Sequence, residues 1–555
     1  MKVEFVVDEE FTCMITVEQL KIKNYKCFRD FTIDFNDSIN IIVGNNEEGK
    51  STILEALQLA LSGMLNGRTL FTDIYESLFN KSIVDEYITS LKTEAKQEPP
   101  TILIEVYLKG DELAKFEGDD NSFETKKCGL YFKIGFNEQY QAEYQALIQN
   151  EDVKTIPVEY YKIERFSFAR SAVTNRSIPL KSVLIDSSSN RFQNGSDVYI
   201  SKIIKDGLDD KEVAALSQSF RRLKENFGDD EAIKAINKKV SESAGISSKK
   251  VTVSVDMSVK NSWETVLMTF IDDIPFHQIG KGEQCLIKTN LALAQKRAQT
   301  SNLVLIEEPE NHLSHTRLNE LVDCLKMRCE DKQLIITTHS NFVANKLNLK
   351  NLILLYAQQT VKFEELPVGD AEYFEKLPGY DTLRLILSKR SILVEGPSDE
   401  LIVQRAYKDK YGKLPIEDGI DVISVRGLSF KRFLDIAKSI SKNVAVVTDN
   451  DGDYAGRITN KYKDYEGIAC IQVFASDNND LHTLEPQFVK VNSDNLADMR
   501  SIIDIKEVDY PTWEKVSDYM EHNKTDWALD VFKSEKKFNY PDYIIKAIEW
   551  VHDGE

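Results

Sequence analysis

The sequence predicts an α/β protein of two parallel-sheet units in series, the first interrupted by a helical insertion and the second Rossmann-like. Three observations carry that expectation. Apolar runs without polar alternation at 303–306, 334–337 and 352–356 suit strands buried on both faces, as in parallel sheets. A strand at 39–43 leads through a glycine-containing turn into a helical pattern at 51–61. Beyond residue 388, short apolar strands at 392–394, 422–425, 444–447 and 471–474 alternate with helical stretches.

Taken in order, the opening segment alternates apolar and polar residues at 15–22 and 31–35, which reads as strands. Further strands are expected at 101–107, 129–136, 158–163 and 251–255. From 201 to 243 the pattern turns helical and charged, with apolar residues at Ile203, Ile204, Leu208 and Val213 and a break at 226–230. Another helix is expected at 286–296, and a linker over 369–388 around Pro378 and Gly379. The division that follows is 1–171 and 249–370 for the two halves of the first unit, 172–248 for the helical insertion, 371–388 for the linker and 389–555 for the second unit.

The chain has 555 residues, 42% of them hydrophobic and 29% charged, which excludes a disordered chain. No run approaches the roughly 18 apolar residues of a membrane span. The first 20 residues carry acids where a secretory leader would begin with basic ones. Seven cysteines without a CxxC pair fit a reducing cytoplasm better than a disulfide scaffold. The net charge of −20 argues against a basic nucleic-acid coat protein. Residues 391–555 carry 21 Lys and Arg against 31 Asp and Glu, so half of the excess negative charge lies on less than a third of the chain. A solvated acidic surface accounts for such a bias in the ordinary case; carboxylates converging on metal ions are the sharper alternative.

The strand at 39–43 runs into Gly44-Asn45-Asn46-Glu47-Glu48-Gly49-Lys50-Ser51-Thr52 and then a helix, which matches the G-x-x-x-x-G-K-[ST] phosphate loop in its strand–loop–helix setting. Glycines let backbone N–H groups wrap phosphates, Lys50 adds a point charge near the β and γ positions, and Ser51 can ligate Mg²⁺. The strand at 303–306 ends in Glu307-Glu308. Glu307 is expected to hold Mg²⁺ and Glu308 to polarise an attacking water. His339, after the run at 334–337, sits where a γ-phosphate can be sensed, and Gly280-Lys281-Gly282-Glu283-Gln284 precedes a helix as a second anion site. Together these segments resemble the ABC-type ATPase head of SMC, Rad50 and RecF proteins. The resemblance implies ATP as cofactor and a homodimer in which one subunit's Gly280/Gly282 loop completes the other's nucleotide site. That loop departs from the usual LSGGQ signature.

Glu395 ends one apolar strand and is followed by Gly396-Pro397-Ser398-Asp399; Asp449 and Asp451 end another. The carboxyl ends of parallel strands share one crevice, so these acids can converge across about fifty residues of chain. Carboxylate oxygens suit Mg²⁺ or Mn²⁺, and no His/Cys cluster offers a zinc alternative. The pattern of Glu395, Gly427 and Asp449/Asp451 resembles the Toprim domain of topoisomerases, primases and OLD (overcoming lysogenization defect) nucleases. Asp399, Glu485 after Thr483, and Lys524 favour the OLD group. The resemblance implies Asp449, Asp451 and Glu395 around one metal, Asp399 and Glu485 around another, and Lys524 near the scissile phosphate, with Asp453 in an outer shell.

The order of ATPase head then Toprim domain over essentially the whole chain resembles the OLD arrangement, as found in Gabija and retron antiphage systems. The expectation is an ATP-regulated, Mg²⁺-dependent DNA endonuclease cutting by two-metal phosphodiester hydrolysis, cytoplasmic, without membrane contact. It would form a dimer or dimer of dimers, with a reverse transcriptase and its msDNA or a helicase as defence partner. The alternative is a nucleotide-driven clamp or sensor for DNA or a partner, with a weak or conditional nuclease site. Topoisomerase and primase are disfavoured, since neither a nucleophilic-tyrosine domain nor a zinc-binding segment is evident. DNA contact would fall on local basic surfaces such as Lys431-Arg432 or Lys533 with Lys536-Lys537.

Overall fold

The structure, a computed structural model, describes residues 14–554 apart from 66–67, 71–73, 94, 151–152, 187–191, 194–195, 198–203, 206–207, 244–252, 255–262, 264–267, 295–300, 357, 363–371, 374, 377–380 and 427–429. It divides into two compact units, residues 1–40 with 49–338, and residues 41–48 with 339–555. No helix among the described residues is long and apolar enough to cross a membrane, and the six described cysteines are all free.

In the first unit Thr16–Tyr25 pairs antiparallel with both Phe28–Asp34 and Ile102–Lys109. Lys127–Phe136 and then Tyr161–Ser167 extend that sheet. Alternation sets the register: Ile22 faces Phe31 on one side and Ile104 on the other, all buried. The run expected as a strand at 158–163 begins instead with a single 3₁₀ turn, Val158–Tyr160, capped by Pro157. The strand starts at Tyr161, where pairing with Phe136 begins.

A parallel set, Ser182–Asp186, Leu303–Glu307 and Gln333–Thr337, carries the second face of this unit. The Gln333 side chain is fully buried and bonds the main chain of Val17 in both directions, as acceptor at 2.8 Å and donor at 2.8 Å, which ties this set to the antiparallel sheet. Ser182–Asp186 corrects the reading of 172–248 as a helical insertion. Three apolar residues between Ser182 and Asp186 are too short a signal beside the long helical pattern that follows. The longer helices described in this stretch are Asp210–Gly228, opened by a capping box at Asp209 and Glu212, and Glu231–Ser243. Val251, Val255, Ile203 and Gly427 lie outside the described residues.

In the second unit, residues 41–44 pair parallel with Leu352–Tyr356, which pairs antiparallel with Gln359–Lys362. The stretch expected as a linker includes the helix Thr382–Leu387, whose Leu383, Leu385 and Ile386 are buried. Arg384 fixes it by a bidentate pair with Asp421 at 2.7 and 3.0 Å. Beyond it stands a four-stranded parallel sheet in the order Ile420–Ser424, Arg390–Val394, Val444–Val447, Ile471–Phe474. The chain leaves the Arg390–Val394 strand to one side, then returns to its other side, so the order reverses between Arg390–Val394 and Val444–Val447. Ligand crevices form at such a reversal, outside the carboxyl ends of the strands. Ile392, Val394, Ile402, Tyr407, Phe488 and Trp527 form the core beneath it.

Candidate active site

The phosphate loop is built by close packing. Gly49 has φ of 101°, and a Cβ there would lie 2.6 Å from Cys27 Sγ and from the Phe28 ring. Lys50 opens the helix Lys50–Ser62 and is buried, as is Thr52, while Ser51, Asn45 and Asn46 are exposed. The helix therefore presents its amide end and a charged lysine at one turn, the chemistry an anionic phosphate requires.

Leu303–Glu307 ends with Glu307 in register with Thr337. The next residue, Glu308, takes a left-handed φ of 39°; its amide donates to the Thr337 carbonyl at 3.0 Å and its Oε2 accepts from Asn311 Nδ2 at 3.0 Å. Thr338 Oγ1 donates to Glu310 Oε1 at 2.7 Å, and His339 follows, partly exposed. Asn311 and Glu310 orient this edge and were missed from sequence, although a polar run directly after Glu307-Glu308 was a signal. Of the two loop glycines before the helix Lys281–Ala294, Gly280 faces open space. A Cβ on Gly282 would lie 2.4 Å from the His312 carbonyl, so packing alone demands glycine at 282.

The acids of the second unit gather at the reversal point. Pairing of Val394 with Val447 brings Glu395 beside Thr448. Glu395 Oε1 accepts from Thr448 Oγ1 at 2.5 Å and from the Asp449 amide at 3.3 Å. Asn450, fully buried, shapes the next turn: its Nδ2 donates to the carbonyls of Ser476 and Asn478 at 2.8 and 2.9 Å, and its Oδ1 accepts from the Gly452 amide at 2.8 Å. Asp451 follows with φ of 49°, exposed, its amide donating to the His482 carbonyl at 3.3 Å. That contact brings the 482–485 segment, with buried Glu485, to the same edge. Asp399 caps its own helix, Pro397–Tyr411, its Oδ2 accepting from the Gly396 amide at 3.1 Å. Lys524 is exposed, next to Thr525, whose amide donates to Ser398 Oγ at 2.9 Å. Asp453 is exposed and accepts locally from the Gly456 amide.

Electrostatics show that these carboxylates share one region. Burial first, then Glu395 and Glu485, push Asp399 up to about 7. Burial, then Asp399, Glu395, Glu485 and Asp451, push Asp449 up to about 9. Tyr543, buried on the C-terminal helix, is held far above the usual phenol range by burial and by Asp449, Asp399, Glu485 and Glu395. It and Asn450 were not legible from sequence. Arg457 stands 3.7 Å from Asp451 as a counter-charge at the rim. A carboxylate cluster that pushes up the proton affinity of Asp399 and Asp449 fits a hard divalent cation, which would relieve the repulsion. Among the described residues no three His, Cys, Asp or Glu side chains already close on a single ion-binding point.

A nucleotide loop in one part of the chain and a carboxylate crevice on a parallel sheet in another define an ATPase–Toprim class. Residues 15–344 match the AAA ATPase domain family, and residues 386–451 match the overcoming lysogenization defect protein-like TOPRIM domain. The chain belongs to the AAA ATPase domain family and, by its second match, is an ATPase–Toprim protein of the OLD family. Among curated relatives, it is 29% identical over 150 residues to the DNA double-strand break repair Rad50 ATPase of Archaeoglobus fulgidus, covering 25% of this chain and 16% of that one. It is 40% identical over 47 residues to the DNA replication and repair protein RecF of Acetivibrio thermocellus, covering 8% and 13%. The chain thus spans less than a fifth of either relative. The solved C-terminal region of the Xanthomonas campestris pv. campestris OLD protein aligns at 21% identity over 31% of this chain and 95% of its own, with a TM-score of 0.24, too slight to carry a structural argument.

Proposed function

We propose that this protein is a nucleotide-regulated, divalent-cation-dependent DNA endonuclease of antiphage defence. The observation that carries the reading is the meeting of Glu395 with the Thr448–Asp449 turn at the point where the parallel sheet reverses order. Glu395, Asp449 and Asp451 would hold one Mg²⁺ or Mn²⁺ and Asp399 and Glu485 another. Such ions, when bound, supply Lewis acidity at the attacked phosphate and at the leaving oxygen. The chain's own contribution is orientation. Thr448 and the Asp449 amide fix the Glu395 carboxylate, Asn450 fixes the turn between the two aspartates, and the exposed Lys524 ammonium offsets charge that develops on the phosphate.

ATP is proposed to bind at Asn45, Asn46, Gly49, Lys50, Ser51 and Thr52, with Glu307 supporting its Mg²⁺, Glu308 orienting water and His339 sensing the γ-phosphate. Gly280 and Gly282 are proposed to meet the nucleotide of a second copy, and the helices Asp210–Gly228 and Glu231–Ser243 to serve subunit association. The expected test of this half is Glu308→Gln. The amide keeps the shape and a carbonyl to accept from Asn311 but cannot draw a proton from water. ATP turnover should fall by on the order of a hundredfold while nucleotide affinity stays within about twofold of the parent. Turnover equal to the parent's would remove Glu308 from the site. Partnership with a reverse transcriptase and its msDNA, or with a helicase, belongs to the same proposal, and co-purification of the full chain with neighbouring gene products tests it.

A further inference from the structure

The helix Pro397–Tyr411 does more than present Asp399: it grips a second helix, Asp526–Lys533, at both ends. At the far end, Arg405 is buried with 4% exposure. Its guanidinium donates to the carbonyls of Val531, Phe532, Ser534 and Lys536 at 2.5–3.2 Å and to Asp409 at 2.9 Å. Val531 and Phe532 belong to the last turn of that helix and Ser534 and Lys536 follow it, so Arg405 anchors the helix by its C-terminal end. At the near end, Ser398 is 7% exposed and its Oγ accepts from the Thr525 amide at 2.9 Å. Thr525 stands at φ of 63°, a conformation strained for a β-branched residue unless its surroundings hold it. Lys524 is the residue immediately before this strained point. Ser398 is the residue immediately before Asp399.

We propose that Ser398 is a positioning residue: its buried hydroxyl holds the Thr525 amide and thereby fixes Lys524 at the carboxylate edge. The proposal rests on the reading of Lys524 as the group that offsets charge on the scissile phosphate. Arg405 sets where the helix lies, and Ser398 sets how the chain enters it. Without the Ser398 acceptor the tight 524–526 turn, closed by the Asp526 amide donating to the Lys524 carbonyl at 2.5 Å, is free to relax from its positive φ at Thr525, and the lysine loses its fixed approach while the carboxylates keep theirs.

The test is a double-mutant cycle on nicking of supercoiled DNA by the full chain in Mn²⁺, with Mn²⁺ affinity measured by calorimetry on the same proteins. Ser398→Ala should lower the cleavage rate about tenfold, as losing an outer hydrogen bond to a functional group does, with Mn²⁺ affinity and the DNA concentration for half-maximal rate within about twofold of the parent. In the Lys524→Ala background the same change should add less than about twofold, since no lysine remains to be positioned. Ser398→Cys, similar in shape but a poor acceptor, should fall between parent and alanine variant and serves if Ser398→Ala does not fold. Lys524→Ala cutting like the parent would overturn the Lys524 reading itself. Lys524→Ala crippled with Ser398→Ala and Ser398→Cys unimpaired would overturn this proposal alone. So would an equal loss from Ser398→Ala in both backgrounds, or a matching loss of Mn²⁺ affinity, which would place the effect on Asp399.

Discussion

Asp449→Asn is expected to abolish cleavage, by on the order of a thousandfold or more, while making the cation-free protein more stable. The two effects share one cause. Burial and four neighbouring carboxylates hold Asp449 up to about 9. In the unfolded chain an aspartate ionises near 4. Between those values the folded state keeps a proton that the unfolded state has released, so folding stability falls as pH rises from about 4 to about 9 and levels off above. Asparagine has no proton to lose and removes that slope. The variant should therefore unfold at a higher temperature than the parent at pH 8 without divalent ions, and at the same temperature at pH 4. Mg²⁺ should raise the melting temperature of the parent by a few degrees at pH 8, less at pH 5, and far less in the variant, in line with roughly 2–4 °C per kcal/mol for a domain of this size. Thermal melts across pH, with and without Mg²⁺, read all of this. A variant less stable than the parent at pH 8 would show that Asp449 is a structural acid.

Lys50→Ala is expected to weaken ATP binding by about 3 kcal/mol, on the order of a hundredfold, because the variant would lose the charge-assisted contact that an ammonium at this helix N-terminus offers a phosphate. Alanine is a better helix former than lysine, so Lys50–Ser62 should persist and circular dichroism should not change. Titration with a fluorescent ATP analogue measures the loss, and unchanged affinity would sink the assignment of the loop.

Much of this fold is legible in the sequence. The unalternating runs became parallel strands because only a strand covered on both faces tolerates such a run: Leu352–Tyr356 and Val444–Val447 coincide with the expected segments. What failed was short or context-bound. Ser182–Asp186 offers three apolar residues and is a strand only because Leu303–Glu307 pairs with it across more than a hundred residues of chain. The helix Thr382–Leu387 looks like a linker until Arg384 meets Asp421. The placement of Glu395, Asp449 and Asp451 at one sheet edge could be read because strand ends constrain where acids go. Asn450 could not, since a buried asparagine and a solvated one look alike in sequence and only the Ser476 and Asn478 carbonyls distinguish them. Tyr543 is one of 22 tyrosines, and its place against four carboxylates depends wholly on how the last helix packs. The acidic balance, which spoke against a nucleic-acid partner, weighs less once part of it is drawn into a crevice suited to divalent cations.

Nicking of supercoiled DNA by the parent and by Glu395→Ala, with Mn²⁺ or Mg²⁺ and with EDTA in place of either, bears on the whole reading at once. The parent should convert supercoiled DNA to nicked and linear forms only with a divalent ion, and Glu395→Ala should leave it intact while melting like the parent. Cutting in EDTA, or cutting by the Glu395 variant at the parent's rate, would contradict a carboxylate-held metal centre at this sheet edge.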